Sequence, residues 1–334
     1  MWQDAVKRCI HNAVQTIKRS NTKFIDIVLS PDVDGVLSSL FISQYAGQMG
    51  WQVHVIGTYN GRSLRAFGNI DSARVAKALW VDLDVRFNVR SVGQHFLGST
   101  AVHAGTFNPN VFYSVQSMKN KYPFSTSALL FWALCPGFAL SPLGEAALAH
   151  ADSMYWVATR YRKNAGEWCT RLFPNETPPL LQSLLDESYL KTRLATHQEF
   201  VSGISKWTFA TKKRDFSHVA NATIDQEGWR DTMGKQTCRI LNNAHHTLCV
   251  NTLVQHLSGV LNIPTPVLFD PSHTNLVWRG TKMLVEPSPY TEDLEAYLQQ
   301  HNIRSHAITS SRCISVTEGP PLHVLPPQGT VEFF

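Results

Sequence analysis

Asp32 and Asp34 stand one residue apart in the stretch Ser30-Pro31-Asp32-Val33-Asp34-Gly35-Val36-Leu37-Ser38, directly after the apolar run Phe24-Ile25-Asp26-Ile27-Val28-Leu29. Two carboxylates just past a strand end can reach one point above a sheet edge. A hard divalent cation asks for this: oxygen ligands on a rigid support at an edge that a ligand can reach. The helix start after the turn, with the Ser38 hydroxyl, would face an anion bound beside such a cation. An Asp-Gly turn can also use its aspartates only to cap the next helix. Residues further along decide between the two: Asp82 in Val81-Asp82-Leu83-Asp84, then Gly93-Gln94-His95, Phe107-Asn108-Pro109-Asn110, Ser125-Thr126-Ser127, and Asp152 in Ala149-His150-Ala151-Asp152.

The elements that must carry these residues alternate in the manner of an α/β sheet. A helix is expected near Asp4 to Arg19, a strand over Phe24 to Leu29, a helix from Val36 to about Met49 after a tight turn at Gly35, and a strand over Gln52 to Gly57. A loop rich in Gly and Arg precedes a third strand, Ala76 to Val81, which ends on Asp82. Of the two aspartates there, Asp82 comes first after the apolar run and is the expected ligand, whereas Asp84 is expected to face solvent or cap the next element. A strand near Val102, a helix over Thr126 to Leu134 and a helix over Gly144 to Tyr161 complete the first part. Strand-helix-strand units with short turns imply a parallel sheet. The reading is an α/β fold with a parallel-sheet domain over residues 1–165, a helical connector over 166–260, and a smaller C-terminal α/β domain over 261–334 for substrate or partner binding.

At 334 residues, 43% of them apolar and 16% charged, the chain has the composition of an ordinary globular protein. A formal charge of +5 permits a polyanionic partner without demanding one. No apolar run reaches membrane-spanning length, and the N-terminus is amphipathic rather than a signal peptide. The six cysteines are scattered without a CxxC pair, which argues against zinc and a disulfide framework and points to a cytoplasmic setting.

The ordered set resembles the DHH phosphoesterase superfamily over roughly residues 24–155: an Asp-x-Asp-Gly turn with a following serine, a strand-end Asp, an Asp-His-His triplet, an Asn-Pro segment, a Ser-Thr helix start and a late Asp. The resemblance implies Mn or Mg as cofactor, in one or two ions. It makes Asp32, Asp34, Asp82 and Asp152 the metal ligands, with Asp82 bridging, and puts His95 beside the scissile phosphate. Asn108 falls in the segment that would touch substrate. Gly93 and Gln94 depart from the triplet, standing where the family has its Asp and its metal-binding His. Gln94 still offers an amide oxygen to a hard cation, though a poorer ligand than imidazole for manganese. Gly93 offers no outer carboxylate.

Near the C-terminus, Arg312 with Ser310 and Ser311 is a candidate phosphate contact, and His323 in Thr317-Glu318-Gly319-Pro320-Pro321-Leu322-His323 echoes the family's Gly-rich end. His245-His246 with His256 is scattered around one helix and reads poorly as a metal site. Trp207 and Trp229 near basic residues suit core or surface packing better than base stacking. These readings lead to a metal-dependent phosphodiesterase or exonuclease-like protein acting on single-stranded nucleic acid, oligonucleotides or dinucleotides. The alternative is a catalytically impaired protein of the same fold that binds nucleic acid or a protein partner. A third reading, a haloacid-dehalogenase-like phosphatase with Asp32 as nucleophile, fits the Asn-Pro, Ser-Thr and His95 signals badly.

Overall fold

The computed structural model describes residues 1–17, 20–61, 63–98, 104–186, 188–209, 246–268, 274–285, 294–308, 314–320 and 322. The first helix, α1 (Trp2–His11), is shorter than expected, because the chain turns into a short strand, β1 (Gln15–Ile17). Strand β2 (Thr22–Leu29) is buried at every position from Phe24 onward. A strand covered on both faces reads as a continuous apolar run, which is how this one was visible in sequence. Beside it lie β3 (Gln52–Tyr59), β4 (Ser63–Phe67), β5 (Leu79–Val81) and β6 (Arg90–Val92), with α2 (Val33–Gln48) and α3 (Ser72–Lys77) between them along the chain.

Two more strands come from the far end of the sequence, β7 (Val267–Leu268), which pairs with β3, and β8 (Thr274–Arg279), which pairs with β4. The sheet runs in the order β6-β5-β2-β3-β4-β8. The β6-β5, β5-β2 and β2-β3 pairs are parallel, and β3-β4 and β4-β8 are antiparallel. The fold is thus a mixed α/β one, with a largely parallel central sheet and a small C-terminal antiparallel sheet, β9 (Thr281–Val285), β10 (Ile303–Ile308) and β11 (Ile314–Glu318), in the order β10-β11-β9.

Two compact units emerge. One comprises Met1–Ser30, Ile42–Lys121 and Pro266–Phe334. Its core includes an aromatic group, Tyr59, Trp80, Phe87 and Trp278, packed with Val28, Ile56 and Leu64. The other comprises Pro31–Phe41 and Tyr122–Thr265 and is helical. It contains α4 (Thr126–Leu134), α5 (Pro142–His150) and α6 (Met154–Arg160). Its interior packs Phe41 on Phe131, Tyr122 on Trp168 and His150 on Phe200. The expected helix over Gly144 to Tyr161 is in fact two, broken by a 3-10 turn at Ala151–Ser153. Residues 99–103, including the expected strand near Val102, lie outside the described residues, as do Ser310, Ser311, Arg312, His323, Trp229 and His245.

Candidate metal centre

Ser30, Asp82 and Gly93 each follow the C-terminal end of one of three adjacent parallel strands, β2, β5 and β6. The ladder continues one step past the strands: the Ser30 amide donates to the Val81 carbonyl at 3.1 Å and the Asp82 amide to the Val92 carbonyl at 2.8 Å. Asp82 is buried and takes a left-handed backbone conformation, φ 57°. Such a backbone is tolerated best by Gly, Asn and Asp, and in a non-glycine residue it is a strained geometry that clusters at functional sites.

Asp32 sits at the start of α2 and caps it, Oδ1 accepting from the Gly35 amide at 2.9 Å. The helix begins at Val33, so Gly35 lies inside its first turn and makes no tight turn of its own. Asp34 does something different. Its carboxylate is buried, and both oxygens accept backbone amides from the start of α4: Thr126 N to Oδ2 at 2.9 Å and Ser127 N to Oδ1 at 2.7 Å. The Ser-Thr helix start is the amide cradle for this side chain, and Ser125 caps the same helix by accepting from Ala128 N at 3.1 Å.

Asp152 is the residue at which the long helix breaks, with φ 47° and ψ 29°. One of its carboxylate oxygens lies within 4.8 Å of one from Asp34. Burial pushes the Asp34 carboxyl up to about 7, the Asp152 charge pushes the same way, and Asp32 adds to it, against the opposing Ser127 hydrogen bonds. Ser38, one turn further along α2, is fully buried, and its Oγ has no hydrogen-bond partner among the described residues.

The loop after β6 is built on Asp84, and here the structure corrects the sequence reading. Asp84 neither faces solvent nor caps a helix. Its side chain is 1% exposed; Oδ2 accepts from the His95 amide at 3.0 Å and contacts His95 Nδ1 at 3.1 Å, and Oδ1 accepts from Asn108 Nδ2 at 2.8 Å. Asn108 also donates to the His95 carbonyl at 2.9 Å and caps its own short helix through Asn110 N at 2.8 Å. The buried Asn108 amide thus fastens the loop. Asn110 Nδ2 donates to the Gln94 carbonyl at 2.8 Å, and Gln94 itself is buried. Strand β10 holds the next residues, Ile308 N donating to the Phe96 carbonyl at 3.0 Å. The one sequence signal for Asp84 was Gly93, whose neighbourhood leaves no room for a side chain.

The donor set is all hard oxygen, and within one unit Asp34 and Asp152 bring carboxylate oxygens within 4.8 Å of each other. That chemistry suits Mg²⁺ or Mn²⁺ and not a soft thiophilic metal. Among the described residues no helix is long and apolar enough to cross a membrane.

No family model and no curated protein matches this sequence. Among solved structures the chain is similar to RecJ in complex with Mn²⁺ from Thermus thermophilus, at 14% identity and a TM-score of 0.30, covering 78% of this chain and 37% of that one. It is also similar to an exonuclease RecJ bound to manganese, at 15% identity and a TM-score of 0.31, covering 77% of this chain and 66% of the other. The chain therefore spans well under half the length of the first of these and about two thirds of the second.

Proposed function

We propose that the protein is a metal-dependent phosphodiesterase of exonuclease type, acting on single-stranded nucleic acid, oligonucleotides or dinucleotides. The observation that carries this reading is the Asp34 carboxylate, buried beside Asp152 and Asp32, with no lysine or arginine bonded to it among the described residues. A buried carboxylate beside other carboxylates is costly, and a divalent ion would relieve that cost. In this reading Asp32, Asp34, Asp82 and Asp152 hold the metal, Mg²⁺ or Mn²⁺, and Gln94 lends its amide oxygen. When bound, such an ion supplies Lewis acidity toward a phosphoryl oxygen and a lower pKa for water.

The remaining work falls to the protein's own groups. The α4 amides that cradle Asp34 keep its two oxygens in one orientation. His95 is fixed through Nδ1, and its Nε2, on the opposite side of the ring, takes the proton that the attacking water loses and hands it to the departing oxygen. Arg312 and His323 are the candidate substrate contacts in the C-terminal region. Where Gln94 fails to replace an imidazole, the same site binds a metal and a nucleic acid without turning it over, which is the second reading.

The test is calorimetric titration of Mn²⁺ and Mg²⁺ together with hydrolysis of a 5′-labelled short oligonucleotide. Metal binding with hydrolysis that disappears in Asp82→Ala supports the enzyme. Metal binding without hydrolysis supports the second reading. Hydrolysis that survives both chelation and Asp82→Ala defeats the site.

A further inference from the structure

We infer that Asp84 is the positioning residue for His95, and that it fills from outside the Gly-Gln-His segment the space that a side chain at position 93 would otherwise occupy. The inference rests on the reading of His95 as the proton-transferring group. Its geometry is local. A Cβ built on Gly93 would fall 2.6 Å from Asp84 Cγ and Oδ1, and closer still to Oδ2. A side chain at 93 would force the Asp84 carboxylate to move, because that carboxylate already lies against the backbone of that position.

Three features separate this contact from a chance salt bridge. Asp84 Oδ2 meets both the amide and the ring of His95, so backbone and imidazole are fixed by one atom. Asp84 Oδ1 is held in turn by Asn108 Nδ2, which also ties the His95 carbonyl. The exposure is graded: the Asp84 side chain is 1% exposed and that of His95 39%, so an enclosed carboxylate steers a ring that reaches solvent. A carboxylate only accepts hydrogen bonds, so the proton between them sits on Nδ1, and Nε2 carries the lone pair of the neutral ring. A histidine placed this way keeps its ring in one orientation, with Nε2 turned away from Asp84. Asn108 and Asn110 then act as fasteners of the carboxylate and loop.

The experiment reads the ring directly. Long-range ¹H–¹⁵N spectra of the metal-free protein, with the His95 signals assigned through His95→Gln, should show the Nδ1–H tautomer in wild type. A wild-type ring in the Nε2–H tautomer overturns the inference whatever the variants do. In folded Asp84→Asn the ring should shift toward Nε2–H, and any phosphodiesterase activity should lose about 10- to 100-fold in kcat with KM little changed, the range typical when an orienting partner is lost. The double change Asp84→Gly with Gly93→Asp, which moves the carboxylate to the other backbone position, should bring the Nδ1–H tautomer back relative to Asp84→Gly alone. A ring indifferent to all three changes overturns the assignment. Because the spectra need no turnover, they stand or fall apart from the proposed activity, which Asp82→Ala tests separately.

Discussion

Asp26 and Asp34 lie eight positions apart, on either side of one strand-to-helix junction, and both carboxylates are buried. Asp26, in the middle of β2, has its cation built in: Arg74 Nε and an Arg74 Nη reach its two oxygens at 2.7 and 2.8 Å, and His54 Nδ1 lies 3.2 Å away. Burial there pushes the carboxyl up, but Arg74 and His54 outweigh it and hold it below the usual carboxylate range. Asp34 is held by the Thr126 and Ser127 amides and by the Ser127 side chain, with two other aspartates adding to its burden, and its carboxyl rises to about 7. The two sites use the same side chain under the same enclosure. One is complete as folded, and the other is, in the reading proposed above, completed by a metal ion.

The sharpest way to break that contrast is to remove each carboxylate. Asp26→Ala takes the fully buried carboxylate away from the half-buried Arg74 and from His54 and should cost about 3–5 kcal/mol in urea unfolding, with metal binding unaffected. Asp34→Asn should cost far less in the metal-free protein and abolish the calorimetric Mn²⁺ signal. Equal destabilisation by the two changes would mean that Asp34 is a structural residue like Asp26.

Next in size is a pH effect. The folded-state pKa of Asp34 is raised above its unfolded value, so the folded protein holds this proton more tightly. Its contribution is most favourable below about pH 4 and is lost as pH rises through 7, a change on the order of a few kcal/mol in the metal-free protein. Unfolding curves at pH 5 and pH 8 should show the loss in wild type and a flatter response in Asp34→Asn. Manganese at 100 times its Kd should restore roughly 2.7 kcal/mol at pH 8 and markedly less at pH 5, where protons compete.

Smaller effects sharpen the picture of the supports. Asn108→Ala leaves Asp84 Oδ1 buried without its donor and should cost about 1–3 kcal/mol by the same unfolding measurement. Asp32→Ala removes a helix cap and should cost about 1 kcal/mol, while weakening Mn²⁺ binding more than it weakens the fold.

Much of this arrangement could be read from residue order. The strand before Asp32 showed itself because it is apolar on both faces, and α4 runs over Thr126–Leu134 as expected because Ser125 is a strong cap signal before an apolar block. Other features were invisible for physical reasons. The apolar pattern from Ala146 to Ala158 passes through Asp152 unbroken, so periodicity cannot reveal a single left-handed residue. Asp82 and Asp84 share a strand end and differ only in which way the chain turns, which the left-handed backbone at Asp82 decides. Strand β4 hid in a segment that looked like a loop, since its partner on the outer side, β8, lies far away in sequence.

That distant partnership bears on how the chain reaches its native state. Phe67 pairs with Thr274, so β4 waits for a strand roughly two hundred residues later, a separation of the kind that slows folding. During synthesis, residues through β4 leave the ribosome long before β7 and β8 exist. Until then β4 presents an unpaired edge, the open template from which strands of other chains can pair and aggregate. A nascent chain stalled or cut before residue 274 therefore keeps the outer edge of β4 uncovered.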